Sequence, residues 1–172
     1  MENRGQQHSK SDAGAAAADG VLITPDTPDS VDARWCLEQY FRELAARFDA
    51  GFDPANSISA NAEELTPPAG VFIVARLNGR PVGCGALKAK ADGIGEIKRM
   101  WVAADARGHG IGRRVLEAIE AAARDFGLRT LRLETNRTLK EAQALYRAGG
   151  YVEVDAFNDE PYAHHWFEKA LL

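Results

Sequence analysis

The stretch Arg107–Gly112, RGHGIG, sets three glycines in front of an amphipathic run, IGRRVLEAIEAAARDFG. In that run Ile111, Val115, Ile119, Ala122 and Phe126 fall on one helical face. A β-rich segment that ends in such a loop has to feed a helix, and that helix must pack back on a sheet. The rest of the chain fits the demand. VFIVARL (71–77), VGCGALKAK (82–90) and EIKRMWVA (96–103) read as three strands of an antiparallel meander, with Asn78-Gly79 as a hairpin turn between the first two. After the glycine loop and its helix come a strand at 128–135, a helix at 139–150 stopped by Gly149 and Gly150, and strands at 151–154 and 162–171.

Upstream, VLI (21–23) is a short strand and Ser30 is placed to cap a helix reaching about Phe48, with Val31, Trp35, Leu37, Phe41, Leu44 and Phe48 as its apolar positions. Residues 52–70 read as loop with one helical turn near 62–65. The order is a meander followed by β–α–β–α–β–β, an α/β sheet of mixed direction. One domain is expected over 21–172. Residues 1–20 hold one large apolar side chain, Met1, and are expected to form a flexible tail.

The net charge of -4 comes without any basic block, so a nucleic-acid partner is not expected. No run approaches the roughly 18 apolar residues of a membrane span, and the first twenty residues lack the apolar core of a signal peptide. A cytoplasmic protein that does not engage a membrane is the expectation. Cys36 and Cys84 stand in no metal-like spacing and read as buried, reduced thiols. His164 and His165 alternate faces on the last strand without a spaced partner, so no metal is expected.

Helix N-termini present free N–H groups and about half a positive charge, and glycines let backbone approach an anion. Arg107 adds a permanent charge suited to phosphate. Arg113 and Arg114, in the first helical turn, are unfavourable at a positive dipole end unless an anion is expected there. A Walker A loop would need Gly-Lys-Ser/Thr, which is absent. A dinucleotide fingerprint has Gly108 and Gly110, but Arg113 stands where its third glycine belongs. Its preceding strand should also be apolar on both faces, whereas this one carries Glu96, Lys98 and Arg99 and is followed by the long AADAR.

EIKRMWVAADARGHGIGRRVLEAIEAAA resembles motif A of the GNAT superfamily of acyl-CoA-dependent N-acyltransferases, with Arg107, Gly108, Gly110 and Gly112 on its Arg/Gln-x-x-Gly-x-Gly/Ala pattern. EAQALYRAGGYVEV is similar to motif B, with Ala142, Leu145, Tyr146, Gly150 and Tyr151 in register. The resemblance spans about Val71–Leu172 and implies a mixed, mostly antiparallel six- to seven-stranded sheet flanked by helices. It implies acetyl-CoA as co-substrate. The diphosphate would lie on the loop amides of Arg107, Gly108, His109, Gly110, Ile111, Gly112 and Arg113, and the pantetheine along Met100, Trp101 and Val102. Many members carry Asn seven residues before the motif B tyrosine; here that position is Leu139 and the nearest Asn is Asn136. FNDEPYAHHWFEKAL resembles a subgroup sometimes fused behind a MarR-like DNA-binding domain, although these 172 residues show no such domain. Members often dimerise, so a homodimer through the last strands is an expectation of the resemblance.

Acetyl transfer needs a neutral amine, and at pH 7 a lysine-like amine is neutral only about once in 2,500, a cost of roughly 4.6 kcal/mol. Glu96, opening the strand that leads to the loop, is the first candidate base, in the place where many members carry an acid. Glu134 on the neighbouring strand is the second, and a water chain is the third route. A backbone N–H near Val102 is placed to polarise the thioester carbonyl. Tyr146 is the expected acid for the departing thiolate, as in the family. Tyr40, Phe41 and Phe52 are candidates to shape the acceptor pocket, as is Tyr162 with one of His164 and His165, for which cross-strand packing is the other reading. His109 is expected to be a solvent-facing, variable position. The acceptor is a small-molecule or peptide amine. The alternative activity is that of a non-catalytic acyl-CoA sensor on the same fold.

Overall fold

The computed structural model describes residues 19–58 and 60–172. The expected tail therefore lies outside the described residues except for Asp19 and Gly20, and those two are tied down. The Asp19 carboxylate accepts from the Val21 amide and pairs with Arg114. The Gly20 carbonyl accepts from Asn78 N.

The described residues form one seven-stranded sheet in the order β1-β2-β3-β4-β5-β7-β6. Its strands are β1 (Val21–Asp26), β2 (Gly70–Leu77), β3 (Arg80–Ala89), β4 (Ile94–Val102), β5 (Thr130–Thr135), β6 (Val152–Val154) and β7 (His165–Ala170). The helices are α1 (Val31–Arg47), α2 (Ile111–Asp125) and α3 (Lys140–Ala148). Every pairing is antiparallel except β4 with β5. Asn78 and Gly79 both have positive φ, as a type I′ hairpin turn requires. The last strand is shorter than its sequence run, because 162–164 belong to the loop that crosses the sheet end.

Helix α2 covers one face. A Cβ on Gly85 would lie 2.8 Å from Ile119 and 2.9 Å from Val115, so glycine there lets the helix seat against the sheet. Helix α3 shares this face, since Tyr146 packs on Phe167 of β7. Helix α1 lies on the opposite face, where its Cys36 thiol donates to Gly83 O of β3 at 3.6 Å. Both cysteines are free and buried. Ser30 caps α1 through the Ala33 amide, as its position predicts. The buried stripe of α1 differs from the expected one: Ala33, Cys36 and Leu44 are buried, whereas Val31 is 85% exposed. The small residues Ala33 and Cys36 let the helix approach the sheet, and a pattern of large apolar side chains overlooks them.

Two helix ends are built alike. Gly127 (φ 75°) ends α2, with its N–H on Arg124 O and the Leu128 N–H on Ala123 O. Gly150 (φ 91°) ends α3, with its N–H on Arg147 O and the Tyr151 N–H on Tyr146 O. Both are Schellman caps. In the second, the Tyr151 ring meets Tyr146 edge-on at 5.9 Å, so the cap also locates Tyr146. Among the described residues no helix is long and apolar enough to cross a membrane.

A Cβ on Gly127 would meet nothing within 4 Å. Substitution there is therefore penalised only through the backbone. Gly127→Ala is expected to lose about 1 kcal/mol of stability, and Gly127→Asn less, read as shifts of the urea midpoint.

Candidate active site

The site begins where β4 leaves β5. Their parallel pairing covers only Ile94–Glu96 against Thr130–Arg132. Three residues on, Arg99 has φ 60°, and the register with β3 slips between Cys84 and Ala86. This is a bulge, one extra residue that bends β4 away from its neighbour. Beyond it the backbone of Met100, Trp101 and Val102 lines a cavity of about 350 Å³. The Trp101 ring meets Trp35 of α1 edge-on at 5.8 Å and carries the strand against that helix.

The glycine loop closes the other side of this cavity. Gly110 is the N-cap of α2 with φ 73° and no side-chain cap. The first intrahelical bond is Arg114 N to Gly110 O. The N–H groups of Ile111, Gly112 and Arg113 are thus left to an outside acceptor. Gly108 has φ 83°, and a Cβ on Gly108 or Gly110 would meet nothing within 4 Å. Glycine is required there by conformation, and the space in front of the loop is open. Of the ten residues named for the cofactor, nine line the cavity; the exposed His109 side chain does not.

The arginines behave differently from the expectation of direct phosphate partners. Arg107 donates through Nε to Val102 O at 3.0 Å and pairs with Glu43 of α1. It is a strut between strand, loop and helix. Arg114 points back to Asp19 and to Val21 O. Arg113 is largely exposed and sits 3.3 Å from Glu117. Arg47, which no sequence pattern singles out, also lines the cavity, held by Glu43, Glu141 and Thr138 O.

A second, smaller cavity of about 110 Å³ lies beside the first. Tyr40, Leu44, Met100, Leu139, Ala142 and Tyr146 line both, so the two meet at Tyr146. The Tyr146 side chain is 4% exposed, and burial pushes its hydroxyl pKa well above the ordinary phenol value. The smaller cavity carries Lys98, Arg99, Glu134, Asn136 and Glu160 as its polar lining, and the rings of Phe41, Phe48, Phe52 and Tyr162 as its apolar lining. Neither His164 nor His165 lines it. His164 accepts from Arg137 N, and His165 pairs with Glu153.

Glu96 and Glu134 are brought together, but only Glu134 lines a cavity. Glu96 lies 3.0 Å from Lys90 Nζ and 3.6 Å from Lys98 Nζ, and Lys98 in turn lies 3.1 Å from Glu134 Oε1. The side chains of Glu96, Lys98 and Glu134 are 6%, 11% and 10% exposed. Burial raises the Glu96 pKa, but the Lys90 hydrogen bond and the charges of Lys98, Lys90 and Arg132 outweigh it. The carboxyl sits below its ordinary 4.5. The second Glu134 oxygen, Oε2, is buried and has no hydrogen-bond partner.

Asn136 does not reach for a cofactor. It accepts from Thr138 N and Oγ1 and donates to Tyr162 O at 2.7 Å, tying the entry of α3 to the loop before β7. Glu160, also missed from sequence, accepts from Ser57 Oγ and Ile58 N and so fastens segment 52–58 over the smaller cavity. No local pattern marks it, because its partners lie a hundred residues away.

Lys98 neutralises two buried carboxylates. Lys98→Met is expected to cost about 3 kcal/mol at pH 7, the scale of a broken buried pair. A lowered folded pKa means the Glu96 contribution is complete above 4.5 and is lost as pH falls through the folded value. The gap between variant and parent should therefore narrow on acidification. Urea midpoints at pH 7 and pH 4 measure it; an equal gap at both would refute the charge assignment.

Residues 35–151 match the profile of the acetyltransferase (GNAT) family. An IAA acetyltransferase of Azospirillum brasilense is 46% identical over 96 residues, which are 55% of this chain and 63% of that protein; the match thus spans less than two thirds of the relative. A crystal structure from Klebsiella pneumoniae, provisionally described as an acyl-CoA N-acyltransferase, superposes with a TM-score of 0.71 at 28% identity, covering 88% of this chain and 98% of that one. N-acetylglutamate synthase from Neisseria gonorrhoeae, solved with coenzyme A and N-acetyl-glutamate, shares the fold at a TM-score of 0.65 and 19% identity, over 88% of this chain and 35% of the other. With the glycine loop, the parted strands and the motif B tyrosine all within the matched segment, the chain belongs to the acetyltransferase (GNAT) family.

Proposed function

We propose that the protein moves an acetyl group from acetyl-CoA to a primary amine by direct transfer within a ternary complex. The observation that carries this reading is the junction of the two cavities at Tyr146. One cavity ends in free helix amides suited to a diphosphate; the other ends in a buried carboxylate suited to an amine. A reaction that joins two substrates needs such an arrangement, since holding both removes the entropy cost of their encounter.

In this reading the amides of the loop and of the first turn of α2 bind the diphosphate, and the backbone of Met100, Trp101 and Val102 aligns the pantetheine. The Val102 N–H polarises the thioester carbonyl. The bond from Arg107 Nε to Val102 O fixes the next peptide plane, on the far side of the same residue. Tyr146 keeps its proton at every physiological pH because its pKa is raised. It donates that proton as the thiolate, of intrinsic pKa ~8.5, departs. The same burial that weakens Tyr146 as an acid strengthens the thiolate as a base.

For the amine we assign Glu134 as the group that meets it, through Oε2. Glu96 supports Glu134 through Lys98 instead of facing the substrate. The C–S bond breaks as the amide C–N bond forms. Of the two protons the ammonium gives up, one leaves by way of Glu134 and the other restores the proton that Tyr146 has given to the thiolate. The reading also takes in work in the cytoplasm and a homodimer at the β6 margin, where Val152 is 62% exposed. Kinship with the subgroup found behind MarR-like domains rests on residues 157–171 alone.

Calorimetric titration with acetyl-CoA, against NADH and ATP, tests the reading without knowledge of the acceptor. Micromolar binding is expected for acetyl-CoA only, and Gly110→Asp should abolish it by placing a carboxylate before the amides. Tyr146→Phe should leave that binding within about twofold and lower kcat by on the order of 100-fold. Unchanged kcat would remove the acid role, and binding without turnover of any amine would leave a sensor.

A further inference from the structure

The smaller cavity carries charges of both signs at separate places, and a wall of rings between its roof and α1. Glu134 is the negative end. Its Oε1 is taken by Lys98 at 3.1 Å, and its buried Oε2 has no hydrogen-bond partner among the described residues. Glu160, the other carboxylate, is already spent on Ser57, Ile58 and Tyr162 N. One acceptor oxygen therefore remains for a donor from outside. Glu134 and Tyr146 line the same cavity.

Arg99 is the positive end. A non-glycine residue at φ 60° is held against its own preference. The bulge turns this side chain to the α1 side of the sheet, where its guanidinium lies 5.0 Å from the Phe41 ring centroid and donates to Ala60 O at 2.8 Å. Burial lowers its pKa, with Tyr40 and Cys84 acting the other way.

The rings complete the lining. Phe41 stacks on Phe52 at 5.8 Å and 10°, Phe52 meets Tyr162 at 4.8 Å, and Phe48 meets both Phe52 and Tyr162 at 5.7 Å. Segment 52–58, which carries Phe52, is pinned by Glu160 and by the bond from Asp53 N to the Tyr162 hydroxyl. The roof is thus fastened down over a small space, which suits a compact molecule better than a folded protein surface.

We infer that the acceptor is an α-amino acid with an aromatic or similarly large apolar side chain. Its ammonium meets Glu134 beside Tyr146, its carboxylate meets Arg99, and its side chain lies on the wall of Phe41, Phe52 and Tyr162. Opposite charges set this orientation, and Glu134 shares its cavity with Tyr146, where the larger cavity also reaches. This inference rests on the acyltransferase reading of the site.

The test measures free thiol release from acetyl-CoA with L-phenylalanine, L-tryptophan, L-glutamate and phenethylamine, beside acetyl-CoA calorimetry on the same preparation. Phenylalanine or tryptophan should exceed phenethylamine and glutamate in kcat/KM by at least about tenfold, the scale of a charge-assisted bidentate contact. Arg99→Met should erase the advantage over phenethylamine while acetyl-CoA still binds. Arg99→Lys should restore part of it, a rescue that a merely structural arginine would not give. Phe52→Ala should raise KM for the aromatic amino acids and leave acetyl-CoA affinity unchanged. If acetyl-CoA binds but phenethylamine or glutamate matches the aromatic amino acids, or none of the four is acetylated, the inference is overturned and the acyltransferase reading stands. If acetyl-CoA does not bind to folded protein, the acyltransferase reading falls and takes the inference with it.

Discussion

Parallel pairing between β4 and β5 stops after Glu96 and Arg132, and nearly everything else about the site follows from that stop. The bulge at Arg99 bends β4 out of the sheet while β5 continues straight along β7 as far as Thr135. A sheet opened in this way exposes strand backbone inside the molecule, where unpaired N–H and C=O groups are costly. The gap therefore has to be filled, and the cavities on either side of Tyr146 are the room left for what fills it. Trp101 against Trp35 and Arg107 against Val102 O hold the departing strand in its new direction.

The charged chain Lys90–Glu96–Lys98–Glu134 crosses the base of this opening. Each member would be expensive to bury alone, and each is tolerable because the next is within reach. The chain ends inside the smaller cavity on an oxygen that has no partner. Tyr146 is set by a different device, the Gly150 cap and the Tyr151 ring, so the donor and acceptor sides of the site are anchored by independent elements.

Much of the fold was legible because its signals are local. The Asn78-Gly79 turn, the Ser30 cap and the glycines ending α2 and α3 each act within a few residues, and each stands where its chemistry says. On helix α1 the large positions Leu44 and Phe48 are buried where the apolar pattern puts them, but the pattern overlooks Ala33 and Cys36, because small residues carry little weight in it. Among the cavity residues, the glycine loop and Tyr146 lie in contiguous motifs and could be named. Arg99, Glu160 and Arg47 could not, since what makes them important is a bulge, a contact across about a hundred positions and a cavity wall.

The sequence by itself determined the strand–loop–helix unit, the order of elements and the family, because periodicity, caps and glycine conformations depend on near neighbours. Only the tertiary structure decided which carboxylate faces the smaller cavity. Glu96 and Glu134 look alike along the chain, one on each of two adjacent strands. The parting of those strands leaves Glu96 enclosed between two lysines and Glu134 on the wall of the smaller cavity. It likewise took three-dimensional packing to give Arg107 its work as a strut, since Glu43 and Val102 O reach it only when helix and strand are in place. Charges are assigned their work by whatever lies within a few ångströms, and that is settled by folding.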